Sequence, residues 1–171
     1  SDLSDATRTR LVERAVAMAR LAPEDPYCGL APQDRLARGP FPDLDLYDAT
    51  HLTAEQLEAA AVATEVAAMA VDGVVRSEGG HASSSTSRWR LVTSDGFDGA
   101  YHGSGFGLGV GVIAEKDGGM ERGGEHRHTR HLSDLPSAAS IGDFAGRRAV
   151  ARTGPRKIAS MTAPVIFENR V

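Results

Sequence analysis

The residues best suited to chemistry form a tight run, E-H-R-H-T-R-H, at positions 125–131. Imidazole and carboxylate groups bind zinc and nickel, so Glu125, His126, His128 and His131 are candidate metal ligands. If the run is a strand, His126 and His128 share a face, whereas His131 lies on the opposite face unless the chain bends. The glutamate precedes the first histidine, so the spacing matches neither H-E-x-x-H nor H-E-x-x-x-H. The pattern leaves a metal site open, but it favours a polar, partly solvated strand or a loop of low order.

A run of hydroxyl side chains, H-A-S-S-S-T-S at positions 81–87, raises the alternative of a serine nucleophile. Ser83 to Ser87 supply the hydroxyls, and His81 is close in sequence. No G-x-S-x-G turn is present, however, and a catalytic triad needs partners that the fold brings together. A polar strand face or a loop is therefore favoured, and His81 and His102 are predicted to be isolated surface residues.

The remaining candidates are single polar groups with ordinary structural roles. Glu78 could act as a general base, and Arg156 with Lys157 could bind an anion, but a strand-end carboxylate and a solvated junction are favoured. Cys28 lies in a turn-rich segment and is interpreted as an incidental loop thiol, and His51 precedes a helix cap without a catalytic role. No residue of this chain is therefore predicted to be catalytic or to hold a metal ion.

Composition and charge restrict the class of protein. The chain has 171 residues, 41% hydrophobic and 25% charged, with a formal net charge of −4, which is typical of a soluble globular protein and argues against a broad nucleic-acid surface. A single cysteine excludes an internal disulfide and fits a reducing compartment. No apolar run approaches the ~20 residues of a membrane span, and no signal peptide is recognisable, so a cytoplasmic location is expected. Because the first residue is serine, we expect a piece of a longer protein.

Glycine occupies every second position of the central part of Y-H-G-S-G-F-G-L-G-V-G-V-I-A, residues 101–114. The spacing of a phosphate-binding loop is missing, and no helix pattern follows. The intervening residues are mostly apolar, which predicts a strand with one apolar face and one nearly bare face. The bare face is expected to lie against a helix, side chains of a neighbouring strand or an extended peptide, and a tight helix–sheet contact is favoured.

Three helices are predicted from apolar spacing and capping residues. The first begins after Ser4 or Asp5 and stops before Pro23, and a proline-rich connector follows it to residue 48. The second follows Thr53, which has a capping-box spacing to Gln56. The third follows Ser137 or Ser140. The residues predicted to face inward are Leu57, Ala61, Thr64, Ala68 and Val71 in the second helix, and Ile141, Phe144, Ala145 and Val150 in the third.

From residue 74 to about residue 130 the apolar period changes to two, which predicts an antiparallel meander of four or five strands. Asp95-Gly96 and the D-G-G run at 117–119 supply hairpin turns. The final A-P-V-I-F-E-N-R-V, residues 163–171, is predicted to be a short buried strand. The expected fold class is α+β, with an antiparallel β-meander packed against two to three helices.

An ordered series of short motifs covers the chain from about residue 47 onward. Its members are Ser77-Glu78-Gly79, Thr93-Ser94-Asp95-Gly96-Phe97, Gly99, Tyr101, Val112-Ile113-Ala114 and Met120-Glu121-Arg122. This series resembles the middle domain of the TldD/PmbA family, on the PmbA (TldE) side. The later R-H-L-S-D-L to P-V-I-F-E-N-R-V resembles the stretch that leads into the family's C-terminal domain. M-E-R-G-G-E-H-R-H-T-R departs from the more acidic and aromatic run of relatives, which leaves the role of that strand open.

The resemblance implies a metallopeptidase system that degrades or matures small or unfolded peptides and carries the older label modulator of DNA gyrase. In this family a TldD-type subunit holds zinc on an H-E-x-x-x-H helix, and a PmbA-type subunit without the metal pairs with it. We therefore expect this chain to be a scaffold without zinc of its own. Its expected partners are a TldD-like subunit or a second copy, and a peptide substrate, with neither nucleic acid nor membrane.

The resemblance also divides the chain into three parts. Residues 1–46 are expected to be the C-terminal helix and linker of an N-terminal domain, 47–162 the middle domain, and 163–171 the start of a truncated C-terminal domain. Two other functions remain open. One is a stand-alone metal-binding protein or hydrolase that uses His126, His128 and His131, and the other is a nucleic-acid-associated modulator, which the net charge disfavours.

Overall fold

The structure, a computed structural model, describes residues 4–167 of the chain. The elements, in chain order, are α1 (Asp5–Leu21), α2 (Ala54–Met69), β1 (Val74–Val92), β2 (Asp98–Lys116), β3 (Gly119–Thr129) and α3 (Ala138–Arg152). The three strands form one antiparallel sheet in the order β1-β2-β3. The predicted α+β class with an antiparallel meander is therefore confirmed. None of the helices in residues 4–167 combines the length and apolar character that a membrane crossing requires.

The chain divides into two compact units, of which the smaller contains α1, the connector up to Pro40 and the hairpin tip Leu91–Asp98. Helix α1 begins as predicted, because the Ser4 side chain accepts a hydrogen bond from the backbone N–H of Thr7. No residue of α1 is buried, so its apolar side chains are exposed to solvent. The proline-rich connector contains one short 3-10 turn and otherwise no regular element, as the sequence predicted.

Helices α2 and α3 belong to the larger unit, and local hydrogen bonds define where both begin. Thr53 and Gln56 form the predicted capping box, with both reciprocal bonds present. Of the two cap candidates for α3, Ser137 is the one that accepts a bond from the backbone of Ser140. The capping prediction is confirmed for both helices.

The two helices pack closely against each other through glycines of α3. A Cβ on Gly142 would lie 2.7 Å from the Ala67 side chain, and one on Gly146 would lie 2.6 Å from Val71. Thr64 and Ala68 of α2 are buried in this contact as predicted. Phe144 was predicted to face inward, but it is 42% exposed because the glycines, rather than the large side chain, occupy the contact surface.

The helices cover one face of the sheet, which we call the helix face. Its centre is an apolar cluster of small and β-branched residues with almost no solvent exposure: Ala68, Val110, Val112, Ala114, Ala145 and Ala149. Gly123 of β3 also lies here, and a Cβ on it would be 2.7 Å from the Ala149 side chain. The sequence contains few aromatic residues, so the core is built by close approach of backbones instead of large rings.

The prediction of four or five strands is wrong, because three long strands of 19, 19 and 11 residues form the sheet. Gly79 has φ +107° inside β1, and its N–H donates to the Ser77 side chain. Glu78 and His81 consequently point to the same face, as in a β-bulge that inserts one residue. The strand therefore continues through the two glycines at 79 and 80.

Both predicted hairpin turns are confirmed. Gly96 has φ +86°, and the backbone of Thr93 is paired with that of Phe97. Asp117 and Gly118 both have positive φ, of 52° and 77°, and they join β2 to β3 as a two-residue turn.

The predicted short buried strand at residues 163–171 is not formed in its described part. Residues 163–167 have no regular secondary structure, and Ile166 is 95% exposed. Residues 168–171 lie outside the described part of the chain. The apolar composition of this segment predicted burial, but residues 163–167 pair with neither edge of the sheet.

Candidate functional site

On the face of the sheet opposite the helices, which we call the glycine face, the central strand has no large side chain between residues 103 and 111. Gly103, Gly105, Gly107 and Gly109 of β2 are buried although no helix covers them. Side chains of the outer strands lean over them instead: a Cβ on Gly107 would lie 2.7 Å from Ser83 Oγ. The favoured interpretation, a tight helix–sheet contact, is therefore wrong, and the alternative of neighbouring-strand side chains is correct.

The glycine face brings histidines of β1 and β3 together above β2. His81 Nε2 lies 2.9 Å from His126 Nδ1, although β2 separates the two strands. His126 is opposite Gly109 in the sheet register. A Cβ on Gly109 would lie 2.6 Å from His81 Cε1, so glycine is needed for the two rings to meet. Partial burial lowers the pKa of His126, electrostatic interaction with His81 and His128 lowers it further, and Glu125 opposes these effects.

His81 was predicted to be isolated, and this is wrong. The placement of His81 near His126 could have been inferred from the two hairpin turns that the sequence predicted. When residues are paired outward from the Asp117-Gly118 turn, His126 falls beside Gly109. When they are paired outward from the Thr93–Phe97 pair, His81 falls beside Gly109 on the other neighbouring strand. Pairing register was therefore the signal, and the bulge at Gly79 does not disturb it because it lies beyond His81.

His126 and His128 point to the same face, as the strand pattern predicted. A Cβ on Gly107 would contact both rings, at 3.4 Å and 3.7 Å. His131 does not join them, because its Nε2 lies 2.8 Å from the carbonyl oxygen of Asp45. Within residues 4–167, no three His, Cys, Asp or Glu side chains are grouped as a metal site would need. The three-histidine site over residues 126–131 is therefore not formed.

Glu125, the fourth candidate ligand, belongs to the helix face instead. Its side chain is 3% exposed and forms ion pairs with Arg127 at 3.0 Å and with Arg148 of α3 at 3.6 Å. Alternation along β3 places it on the opposite face from His126. Its charge is balanced by the guanidinium groups, so its role is to join β3 to α3.

The two ends of the glycine face carry different chemistry. At one end Trp89 and Tyr101 are stacked with ring centroids 6.4 Å apart, and both rings are at least half exposed. At the other end, Glu78 and Arg122 form an ion pair at 2.5 Å. Glu78, a candidate general base, is therefore paired with a cation at the end of the face.

His131 takes part in a group of hydrogen bonds that attaches residues 45–48 to the sheet. Ser104 is 2% exposed, and its hydroxyl accepts from Asp48 N at 2.9 Å and donates to Arg130 O at 2.6 Å. The hydrogen bond to the Asp45 carbonyl raises the pKa of His131, and the charges of Asp45, Asp48 and Asp134 raise it further.

Asp48 is the acidic member of this group. It accepts hydrogen bonds from the backbone N–H of Leu132 at 2.9 Å and of Thr50 at 2.8 Å. Bonds from the Thr50 side chain, then from these two backbone groups, lower the pKa of Asp48 to about 2. His102, predicted to be isolated, contributes here as well, since its ring stacks on Tyr47 with centroids 3.7 Å apart.

The remaining candidates are dispersed. Ser85 and Ser87 point toward carbonyl oxygens of β2 at the limit of hydrogen bonding, 3.5 Å, while His81 contacts His126 rather than a hydroxyl. Cys28 is exposed in the smaller unit. Arg156 and Lys157 are exposed in a segment without regular structure, as expected of a solvated junction. His51 is exposed just before α2.

Comparison with known proteins now identifies the family. Residues 47–153 match the model of the PmbA/TldA metallopeptidase central domain. The chain belongs to the PmbA/TldA family. The recognised series of motifs on the PmbA side is thereby confirmed.

Curated relatives of this PmbA/TldA chain share moderate sequence identity along its full length. It is 35% identical over 172 residues to the metalloprotease PmbA of Escherichia coli O157:H7. It is 31% identical to a metalloprotease PmbA homologue of Haemophilus influenzae. In both cases it covers 100% of its own length but only 38% of the relative's, so the central domain is compared with part of a longer protein.

Solved structures share the fold of this PmbA/TldA chain. A protein described as a modulator of DNA gyrase from Bacteroides thetaiotaomicron superimposes with a TM-score of 0.76 at 20% identity, covering 91% of this chain and 36% of that one. A second such protein, from Thermotoga maritima, gives a TM-score of 0.64 at 18% identity, covering 87% and 33%. TldE of Thermococcus kodakarensis gives 0.50 at 18% identity, covering 88% and 34%.

The family description implies a catalytic metal, and the described residues do not fit one. A catalytic zinc takes three protein ligands and a water molecule. Residues 4–167 offer no group of three such ligands, and neither H-E-x-x-H nor H-E-x-x-x-H occurs in the sequence. The central domain of this PmbA-type chain therefore supplies no metallopeptidase centre from the residues that the structure describes.

Proposed function

We propose that this chain is a structural part of a PmbA (TldE)-type subunit in a metallopeptidase that degrades or matures small or unfolded peptides. The hydrolytic zinc is supplied by a TldD-type partner subunit, and this chain shapes the peptide cavity and holds the partner. The proposal rests on one observation above others. The polar residues of the glycine face are arranged as pairs along an open surface, with no three-ligand group among residues 4–167.

The sheet offers two edges to a partner or a peptide. In the described chain β1 and β3 each have a strand on one side only, and β1 is 19 residues long. An extended peptide adds to such an edge through backbone hydrogen bonds, which tolerate many sequences. This mode of binding suits a protease that accepts varied unfolded substrates. The glycine face provides hydroxyl, imidazole and aromatic groups beside the added strand.

The test is a peptidase assay with a fluorescent mixture of unfolded peptides. The 171-residue chain alone is expected to be inactive, and a TldD-type subunit with its complete PmbA-type partner is expected to be active and to lose activity with a chelator. Replacing this central domain in the PmbA-type partner by a flexible linker should abolish the activity. The control is a TldD-type subunit with both zinc-binding histidines replaced. Chelator-sensitive activity of the 171-residue chain alone would contradict the proposal.

A further inference from the structure

We propose that His81 and His126 bind one transition-metal ion of the class that imidazole favours, Zn(II), Ni(II) or Cu(II), above the glycines of β2. This site is separate from the hydrolytic zinc of the proposed function. It has two protein ligands, His81 Nε2 and His126 Nδ1, and water completes the coordination. The glycine face, rather than the 125–131 run alone, therefore carries the metal chemistry of this chain.

The geometry of the two rings supports this assignment. Their facing nitrogens are 2.9 Å apart while their centroids are 5.0 Å apart and their planes differ by 19°. The difference between these distances is close to twice the distance from an imidazole centre to its nitrogen, so the rings meet edge to edge. The two nitrogens thus face each other, and one ion can be bound by both once the rings move apart.

Metal binding requires a shift of both rings but no net change in protonation. In the neutral pair, one ring donates its N–H to the lone pair of the other. An ion replaces this proton, which moves to the outer nitrogen of the same ring, so each imidazole keeps one N–H and no proton is released. With zinc–nitrogen bonds of about 2.0–2.1 Å in a tetrahedral site, the nitrogens separate to about 3.3 Å, and each ring tilts so that its lone pair points at the ion. Both histidines are exposed, so the rings are free to separate and tilt, and the ion can enter from solvent.

The glycines determine where the site lies. β1 and β3 are the outer strands, and neighbouring strands are separated by about 4.8 Å, so β2 normally keeps such side chains apart. A Cβ on Gly109 would lie 2.6 Å from Cε1 and 2.8 Å from Nε2 of His81. The absence of this Cβ allows His81 to cross β2 and reach His126. A methyl group at position 109 would displace the ligand nitrogen itself.

The first experiment is equilibrium dialysis of the tag-free 171-residue chain against Zn(II), Ni(II), Cu(II) and, as an oxygen-preferring comparison, Mg(II). One transition-metal ion per chain is expected, with no binding of Mg(II). H81A and H126A should each weaken binding by at least about tenfold, because loss of even an outer-shell partner commonly costs that much. H51A and H131A should bind as the parent chain does. Absence of saturable binding below about 1 mM, or binding unaffected by H81A and H126A, would overturn the proposal.

The second experiment keeps all six histidines and changes only the glycine of β2 that lies beneath the two rings. Gly109→Ala should lose at least about tenfold in affinity, whereas Gly119→Ala, whose Cβ would meet only the Lys116 carbonyl at 3.4 Å, should bind normally. Circular dichroism establishes that both variants are folded. A folded Gly109→Ala chain that binds like the parent would refute the arrangement. If Gly109→Ala does not fold, the chemical shifts of the imidazole nitrogens decide instead: zinc must move those of His81 Nε2 and His126 Nδ1 in the parent chain.

Discussion

At position 125 a carboxylate lies inside the protein, with only 6% of the residue exposed, between guanidinium groups of β3 and α3. A buried charge is tolerated when partners compensate the loss of hydration, and removal of one member leaves the others uncompensated. Glu125 therefore joins a strand to a helix across the edge of the apolar cluster. Its neighbour His126 faces solvent on the other side of the same strand, so adjacent residues serve different surfaces.

Replacing this carboxylate by an amide tests its structural role. Glu125→Gln is expected to lower the free energy of unfolding by about 2 kcal/mol, less than for a fully buried pair because both arginines are partly exposed. The exposed Glu115→Gln should stay within about 0.5 kcal/mol of the parent chain. Urea unfolding measures both. Equal stability of the two variants would show that the ion pairs contribute nothing.

Asp48 predicts a pH dependence of stability on the acid side. Its pKa is lowered from 3.8 to about 2, so the carboxylate stabilises the fold above pH 4. Because a lowered folded-state pKa means that the unfolded chain takes up the proton first, this contribution is lost as pH falls from about 4 to about 2. The difference in urea midpoint between the parent chain and Asp48→Asn should shrink over this range. A pH-independent difference for Asp48→Asn would contradict the assignment.

At the scale of elements, the contact between α2 and α3 depends on missing side chains. Gly142 and Gly146 are buried in α3, where they allow the backbone of α2 to approach closely. Glycine in a helix is unfavourable by up to about 1 kcal/mol relative to alanine, so this packing contact must outweigh a local cost. The helix pair and the sheet then enclose a core of small residues.

A valine at this contact should separate the helices. In Gly146→Val the new side chain would meet Val71, whose nearest atom is 2.6 Å from the Cβ position, and overpacking of this kind costs about 1–3 kcal/mol. Ala151→Val adds the same side chain to the exposed side of α3 and should cost less than about 0.7 kcal/mol, from helix propensity alone. Thermal and urea unfolding compare the two. A loss for Gly146→Val no larger than that for Ala151→Val would show that the helix contact accommodates the added side chain.

At the scale of the whole molecule, the apolar core is confined to the larger unit. Every member of the core cluster lies within residues 41–90 or 99–171, and α1 contributes no buried residue. The smaller unit includes an exposed hydrogen bond from Gln33 to the Asp95 carbonyl. Removal of residues 1–40 is therefore expected to leave the central-domain fold in place.

Truncation tests this independence. A chain that begins at Phe41 keeps the segment around Asp48 and all of the core, so its melting temperature should change by less than about 4 °C, or under about 1 kcal/mol. A second truncation that begins at Thr50 removes the hydrogen bonds to Ser104 and His131 and should melt at a lower temperature than the first. Circular dichroism melts report both. If the chain that begins at Phe41 is unfolded, residues 1–40 are required for the fold.

The features that could be predicted from the sequence are local ones. The helix starts at Ser4, Thr53 and Ser137 were predictable because a cap satisfies free N–H groups within one turn. The hairpin turns were predictable because glycine permits the positive φ that such turns need. The family was recognisable because its motifs occur in order along one strand-rich segment.

Which distant groups meet depends on how the strands pair across the whole sheet. His81 and His126 are 45 residues apart and belong to strands that are not neighbours, so their contact depends on two registers and on a bare position between them. His131 does not join His126 and His128, because the chain bends after β3 toward Asp45. The alternation of glycine and apolar residues indicated that β2 has one bare face. The helices pack on its apolar face, because that packing buries the most apolar area. That is a property of the assembled sheet and helices, which no short stretch of sequence contains.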